Sequence, residues 1–319
     1  MRSDRLPLAR FAVDPDSGSR LEAGLLDRLV ADPRARVVLV HRGLVAVTAA
    51  GAALDLVSPE VLPAVAGPAA SEPMVLAYLG RDAKAAYLAG VLSESPGDER
   101  DFAGMPAVEE AVLSGRDWAS LRDVGGDLSD RDAGLAATAV ALAAWHARHP
   151  RCPRCGEPTQ IDQAGWARRC TNDGTLHYPR TDPAVIVAVT DDAGRLLLAH
   201  AASWPARRFS LVAGYVEPGE SLEAAMHREV AEECGLQIAQ LAYVGSQPWP
   251  FPASLMLAFR ARAAGGTLTV DDSEITDAMF VERGALGALV RRGDILLPQR
   301  SSIARALIED WYGERLPGA

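Results

Sequence analysis

"GYVEPGESLEAAMHREVAEECGL", Gly214 to Leu236, crowds Glu220, Glu229, Glu232 and Glu233 onto one loop and one short helix. Ser221 is suited to cap that helix. Ala, Leu, Met and Val recur at helical intervals along "LEAAMHREVAEEC", and Gly235 fits the left-handed position that ends a helix. Glu229, Glu232 and Glu233 then stand at i, i+3 and i+4 and share one face. Left bare, they repel one another, close to a helix C-terminus where negative charge is already disfavoured. A hard divalent cation, Mg²⁺ or Mn²⁺, resolves the conflict, because it takes carboxylate oxygens and keeps waters that substrate phosphates can share. Arg228 can pair with a loop carboxylate, for which Glu220 is the natural candidate, in a structural role. Three glutamates taken alone would read as a solvated acidic face.

The full spacing decides against that plain reading. From Gly214 it runs Gly, five residues, Glu220, seven residues, Arg228-Glu229, an aliphatic (Val230), any residue, Glu232-Glu233, any residue, Gly235 and an aliphatic (Leu236). This resembles the signature of the Nudix hydrolases at every fixed position. The resemblance implies an α/β/α sandwich with a mixed sheet, and cleavage of a nucleoside diphosphate linked to another group. It implies Glu229, Glu232 and Glu233 as metal ligands and catalytic residues. Glu274, in "DDSEI", is by default surface charge; the resemblance implies a further catalytic carboxylate there, able to take a proton from water.

Ten residues after Leu236 comes "SQPWPFPASLM" (246–256), where three prolines within five residues stiffen the chain. Trp249 and Phe251 are then held at fixed angles, and Gln247 can hydrogen-bond an amide or a ribose. The alternative is a proline-stiffened core loop with buried aromatics. The segment and its distance from the acidic stretch resemble the array that marks NADH pyrophosphatases of the NudC type. That resemblance narrows the substrate to NADH and NAD⁺, cut to nicotinamide mononucleotide and AMP, and adds removal of NAD caps from RNA. It implies a homodimer, with Tyr215 and Trp249 flanking the nicotinamide and with Gln247, Tyr178, Ile186, Glu274 and Ala304 lining the pocket.

"CPRC" (152–155) and Cys170 supply three legs of a zinc ribbon, a structural Zn²⁺ site that closes with four ligands. The NudC-type family usually has a second Cys pair here. This chain continues "CTNDGTLHYPR", with Asp173 where a common spacing has Cys. His177 or Asp173 can complete the set, and because His is the commoner substitute for Cys, His177 is the expected fourth ligand beside Cys152, Cys155 and Cys170. From Arg151 to Arg180 five arginines face three acids, weak evidence for contact with phosphate.

With 319 residues the chain is long enough for two domains, and 49% hydrophobic residues mark it as globular. A net charge of −10 argues against wholesale binding of nucleic acid or membrane. No apolar run has the length of a membrane span, and the first residues lack a signal-type apolar region, so the expectation is a cytoplasmic protein. The expected fold is α+β: residues 1–127 an N-terminal domain read as antiparallel, 128–178 a connecting helix and zinc-ribbon-like motif, 179–319 the Nudix domain. Strand pairs are expected within 37–47, 74–92 and 184–201, a strand at 255–263, helices over 129–150 and Ser302 to about Tyr312, and a polar loop over 93–106. Three other readings stand beside NAD(H) hydrolysis: decapping of NAD-capped RNA as the main role, a broader ADP-ribose-type pyrophosphatase, and a binding module that has lost turnover.

Overall fold

The computed structural model describes residues 6–49, 51–62, 74–92, 113, 115–270 and 272–318. The expected loop over 93–106 lies outside the described residues. The chain divides into two compact units. One comprises residues 1–10, 181–249 and 254–319; the other comprises 11–180 and 250–253.

The first unit is built on a mixed six-stranded sheet. Its strands are β9 (Asp182–Thr190), β10 (Leu196–Ala201), β11 (Val212–Tyr215), β12 (Leu236–Trp249), β13 (Ser254–Gly266) and β14 (Ile275–Val281), ordered β12-β13-β9-β10-β14 with β11 also on β9. β13 runs parallel to β9, and the other pairs are antiparallel. The run "AVIVAV" is apolar at every position because β9 is covered on both faces. Val185, Val187 and Val189 pack with Met226 and Val230 of helix α4 (Leu222–Cys234). Ile186 and Ala188 pack with Leu286 of α5 (Arg283–Arg292) and with Ile303, Leu307 and Ile308 of α6 (Ile303–Tyr312). The alternation fixes the register of the central strand, since a slip of one residue would exchange the two cores. Burying Met226 and Val230 completely contributes about 2 kcal/mol each. Leu6 joins the core on the α5–α6 side.

In the second unit the first sheet is ordered β3-β4-β1-β2-β5, from β1 (Arg36–His41), β2 (Leu44–Val47), β3 (Val75–Arg81), β4 (Ala86–Val91) and β5 (Asp117–Ser120). Among the described residues its α-helices include α1 (Leu25–Val30), α2 (Leu121–Val124) and α3 (Asp130–Arg148). The hairpins expected within 37–47 and 74–92 are present. The antiparallel expectation needs correction: β1 and β4 run parallel, from Arg36↔Tyr87 to Val40↔Val91. Each belongs to a hairpin, and joining two hairpins through those strands is long-range pairing with no local sequence mark.

α3 starts at Ser129, whose hydroxyl accepts from Asp132 N. It leads into a three-stranded antiparallel sheet, β6 (Thr159–Asp162), β7 (Ala167–Cys170) and β8 (Leu176–His177). A buried junction joins them. His146 Nε2 donates to Gly165 O at 2.9 Å, and its Nδ1 accepts from Arg168 Nη1 at 2.9 Å. Arg168 also donates to Thr159 through Nε and Nη2. Burial first, and the Arg168 charge after it, push His146 down to about 4, so at neutral pH the imidazole is uncharged and fits this donor–acceptor pairing.

Candidate active site and metal centre

α4 carries the acidic cluster. Ser221 Oγ accepts from Ala224 N at 3.1 Å to start the helix, and Gly235 ends it. The buried face holds Met226 and Val230 and fixes the rotation, which leaves Glu229 and Glu233 at the edge of the core, each 8% exposed, and Glu232 in solvent. β11 supports the cluster from beside it. A Cβ built on Gly214 would overlap the Glu229 carboxylate, so only glycine leaves that carboxylate its place.

Arg228 ties the loop to the helix. Its Nε and Nη2 donate to Glu220 at 2.9 and 3.0 Å, its Nη1 to Glu229 at 2.8 Å and Glu232 at 3.2 Å, and Nη2 also to Tyr215 O. Glu220 in turn accepts from Glu217 N and closes the turn. Burial pushes the Glu229 carboxyl up from its ordinary value; Arg228 opposes the shift, and the charges of Glu232 and Glu274 add to it. Glu274 lies 45 residues beyond Glu229 in sequence, yet its charge acts on that carboxyl. Glu229 is therefore a buried carboxylate bonded to one arginine, with two acidic charges acting on it.

The expected pocket residues separate into two groups. Tyr215 is 54% exposed, and its hydroxyl is 3.0 Å from Ser254 Oγ, a buried neighbour that sequence reading did not single out. Trp249 ends β12, paired with Ser254 and half-buried. Tyr178 belongs to the other unit and is 56% exposed. Gln247 differs from expectation. It is 0% exposed, its Oε1 accepts from Leu8 N at 3.1 Å and its Nε2 donates to Ser301 O at 2.9 Å, so the amide is occupied inside the protein. Ile186 and Ala304 point into the core on the α5–α6 side, where they serve packing. Phe251 is covered by the Arg122 guanidinium, 4.2 Å from the ring centre, within the second unit.

The cysteine motif converges. Among the described residues one set offers ligand atoms within 4.8 Å of one another: Cys152, Cys155, Cys170 and Asp173. Cys155 Sγ and Cys170 Sγ are 3.5 Å apart. Sulfurs on a tetrahedral zinc, each bonded at about 2.3 Å, lie roughly 3.8 Å from one another, so the donors fit the ion. His177, the expected fourth ligand, is outside the set. It sits on β8 against Cys152, with Nε2 buried and lacking a hydrogen-bond partner. Asp173 takes its place because the turn after Cys170 folds back. Asp173 Oδ1 accepts from Thr175 N at 2.9 Å, and that bond, then those from the Thr175 hydroxyl and Cys170, hold its carboxyl down at about 2.

Comparison with known proteins gives three adjoining domain matches: an NADH pyrophosphatase-like rudimentary NUDIX domain over residues 34–145, an NADH pyrophosphatase zinc ribbon domain over 147–178, and a NUDIX domain over 180–298. The NAD-capped RNA hydrolase NudC of Mycobacterium bovis (strain BCG / Pasteur 1173P2) is 42% identical over 200 residues, which cover 60% of this chain and 64% of that protein. The protein of the same name from Mycobacterium tuberculosis (strain H37Rv) matches equally. The human NAD-capped RNA hydrolase NUDT12 is 36% identical over 196 residues, 58% of this chain and 42% of that protein. The chain therefore spans under two thirds of the length of these relatives. Among the described residues no helix is long and apolar enough to cross a membrane.

Proposed function

We propose that this chain is a Nudix hydrolase with the zinc ribbon and rudimentary NUDIX domains of NADH pyrophosphatases that its domain matches name, and that it hydrolyses the pyrophosphate of NADH or NAD⁺ to nicotinamide mononucleotide and AMP. The observation that supports this reading is buried Glu229 on α4, with the charges of Glu232 and Glu274 acting on its carboxyl and Arg228 bonding both it and the Tyr215 carbonyl. Residues 179–319 hold the chemistry in this reading, 128–178 the zinc motif, and 1–127 the remaining domain.

Mg²⁺ or Mn²⁺ bound by Glu229, Glu232 and Glu233 would neutralise the diphosphate and acidify water near it. Arg228 holds Glu229 and Glu232 in orientation and keeps the loop through Glu220 closed on α4. Gly214 leaves room for the Glu229 carboxylate. Glu274 or Glu233 takes the proton that water loses as its oxygen bonds to phosphorus and the bridging P–O bond breaks. Tyr215, fixed at its hydroxyl by Ser254, and Trp249 present rings on which a nicotinamide can stack. Gln247, Ile186 and Ala304 act behind this surface, by holding the fold. A structural Zn²⁺ at the cysteine motif, a homodimer and a cytoplasmic setting complete the proposal.

The names of the relatives favour a second reading, removal of the NAD cap from RNA, which presents the same pyrophosphate. The test is kcat/KM for NADH, NAD⁺, ADP-ribose and NAD-capped RNA with Mg²⁺ or Mn²⁺, alongside Glu233→Gln. The variant is expected to lose about 100-fold or more. ADP-ribose turning over much faster than NADH would sink the dinucleotide reading. Comparable turnover of all four by the variant would sink the proposed role of the cluster.

A further inference from the structure

The cysteine motif consists of two turns with the same backbone. In "CPRCG" the Gly156 N–H donates to Cys152 O at 2.9 Å and the Cys152 N–H to Glu157 O at 2.7 Å. In "CTNDG" the Gly174 N–H donates to Cys170 O at 3.1 Å and the Cys170 N–H to Thr175 O at 2.9 Å. Both glycines are left-handed, with φ of 78° and 72°, a conformation that lets the chain turn away after the fourth residue. Sulfur bonding repeats as well. The Cys152 thiol receives backbone N–H groups from Arg154 and Cys155, two and three residues on, and the Cys170 thiol from Asn172 and Asp173, again two and three residues on. Asp173 thus occupies in the second turn the place that Cys155 occupies in the first.

We propose that Asp173 is the fourth ligand of this site, giving zinc a Cys₃Asp shell of Cys152, Cys155, Cys170 and Asp173 in two equivalent turns. The proposal rests on reading the motif as a zinc site, and it assigns a ligand that the cysteine pattern alone does not supply. The four donor groups already lie within 4.8 Å of one another. The bond from Thr175 N fixes the orientation of the carboxylate, which helps a side chain with two competing oxygens bind through one. Arg154 Nη1, 3.8 Å from Asp173 Oδ2, supplies a nearby counter-charge. Three thiolates and a carboxylate carry the same formal charge as four thiolates, so the surroundings of a four-cysteine site need no electrostatic adjustment. A histidine would change that charge. His177 lies on the strand after the turn, against Cys152, where it supports a ligand as an outer partner.

The test is zinc content and zinc K-edge X-ray absorption on the full chain, with chelator competition, for wild type, Asp173→Asn, Asp173→Cys and His177→Ala. The expected wild-type result is one zinc per chain with three sulfurs at about 2.3 Å and one oxygen at about 2.0 Å, without the outer-shell pattern of imidazole. Asp173→Asn should weaken zinc at least about tenfold. Asp173→Cys should bind zinc through four sulfurs, and that result reads the site even if Asp173→Asn fails to fold. An imidazole pattern in wild type that disappears in His177→Ala overturns the assignment. So does an Asp173→Cys protein that still shows three sulfurs. A wild-type chain that binds no zinc overturns the zinc reading itself, a different failure from zinc held without Asp173.

Discussion

Arg228 grips Glu220 through two parallel hydrogen bonds, Nε to Oε1 at 2.9 Å and Nη2 to Oε2 at 3.0 Å, across eight residues of sequence. The pair is partly buried and bidentate, the arrangement in which an ion pair contributes more than a surface pair does. The same guanidinium reaches Glu229 and Glu232. Glu220→Gln should therefore lower stability and raise the Mn²⁺ concentration needed for half-maximal activity. Denaturant midpoints and a metal titration check both. A stability loss with an unchanged metal requirement would make Arg228 a brace for the loop alone.

Gly214→Ala tests the cradle behind Glu229. The added methyl overlaps the carboxylate, so Glu229 must swing away. A displacement of about 1 Å at a reacting centre costs roughly 100-fold in rate. The expected result is a fall of that order in kcat/KM with the denaturation midpoint close to wild type.

Gln247→Ala removes the buried amide that accepts from Leu8 N and donates to Ser301 O. Unmade buried hydrogen bonds of this kind predict a loss of about 3 kcal/mol in stability. If Gln247 contacted the dinucleotide instead, KM would rise while the unfolding curve stayed in place. The two measurements together decide between the roles.

His146 predicts a pH dependence. Its folded value of about 4 lies below the ordinary 6.5, so the unfolded chain binds more protons between those values. Stability contributed by the neutral imidazole is present above about pH 6.5 and is lost as pH falls toward 4, by roughly 3 kcal/mol. His146→Gln keeps a donor and an acceptor without the titration. Its unfolding free energy should depend less steeply on pH between 6.5 and 4 than that of wild type.

What could be read from sequence was local. Ser221, the apolar spacing of α4 and Gly235 mark a helix within 15 residues, and unbroken apolarity in β9 reports two covered faces. α5 went unread because "RGALGALVRR" contains two glycines, poor helix formers; the structure explains Gly287, since the Tyr312 ring lies where a side chain would stand. Gln247 was expected to line the dinucleotide pocket; its partner Leu8 is 239 residues away, and no pattern near either residue announces the bond. The parallel pairing of β1 with β4 was hidden for the same reason. Gly214 was legible as a fixed motif position, but the need for it became physical only once Glu229 was placed.

Leu6 in the core and Leu8 on Gln247 have a consequence for how the molecule is made. Residues 6–10 belong to the same unit as residues 254–318, and nearly the whole second unit is synthesised between them. Leu6 and Leu8 must wait for their partners until β12 and α6 emerge. A chain interrupted before Ser301 can carry the entire acidic motif and still lack the surface on which its own beginning settles.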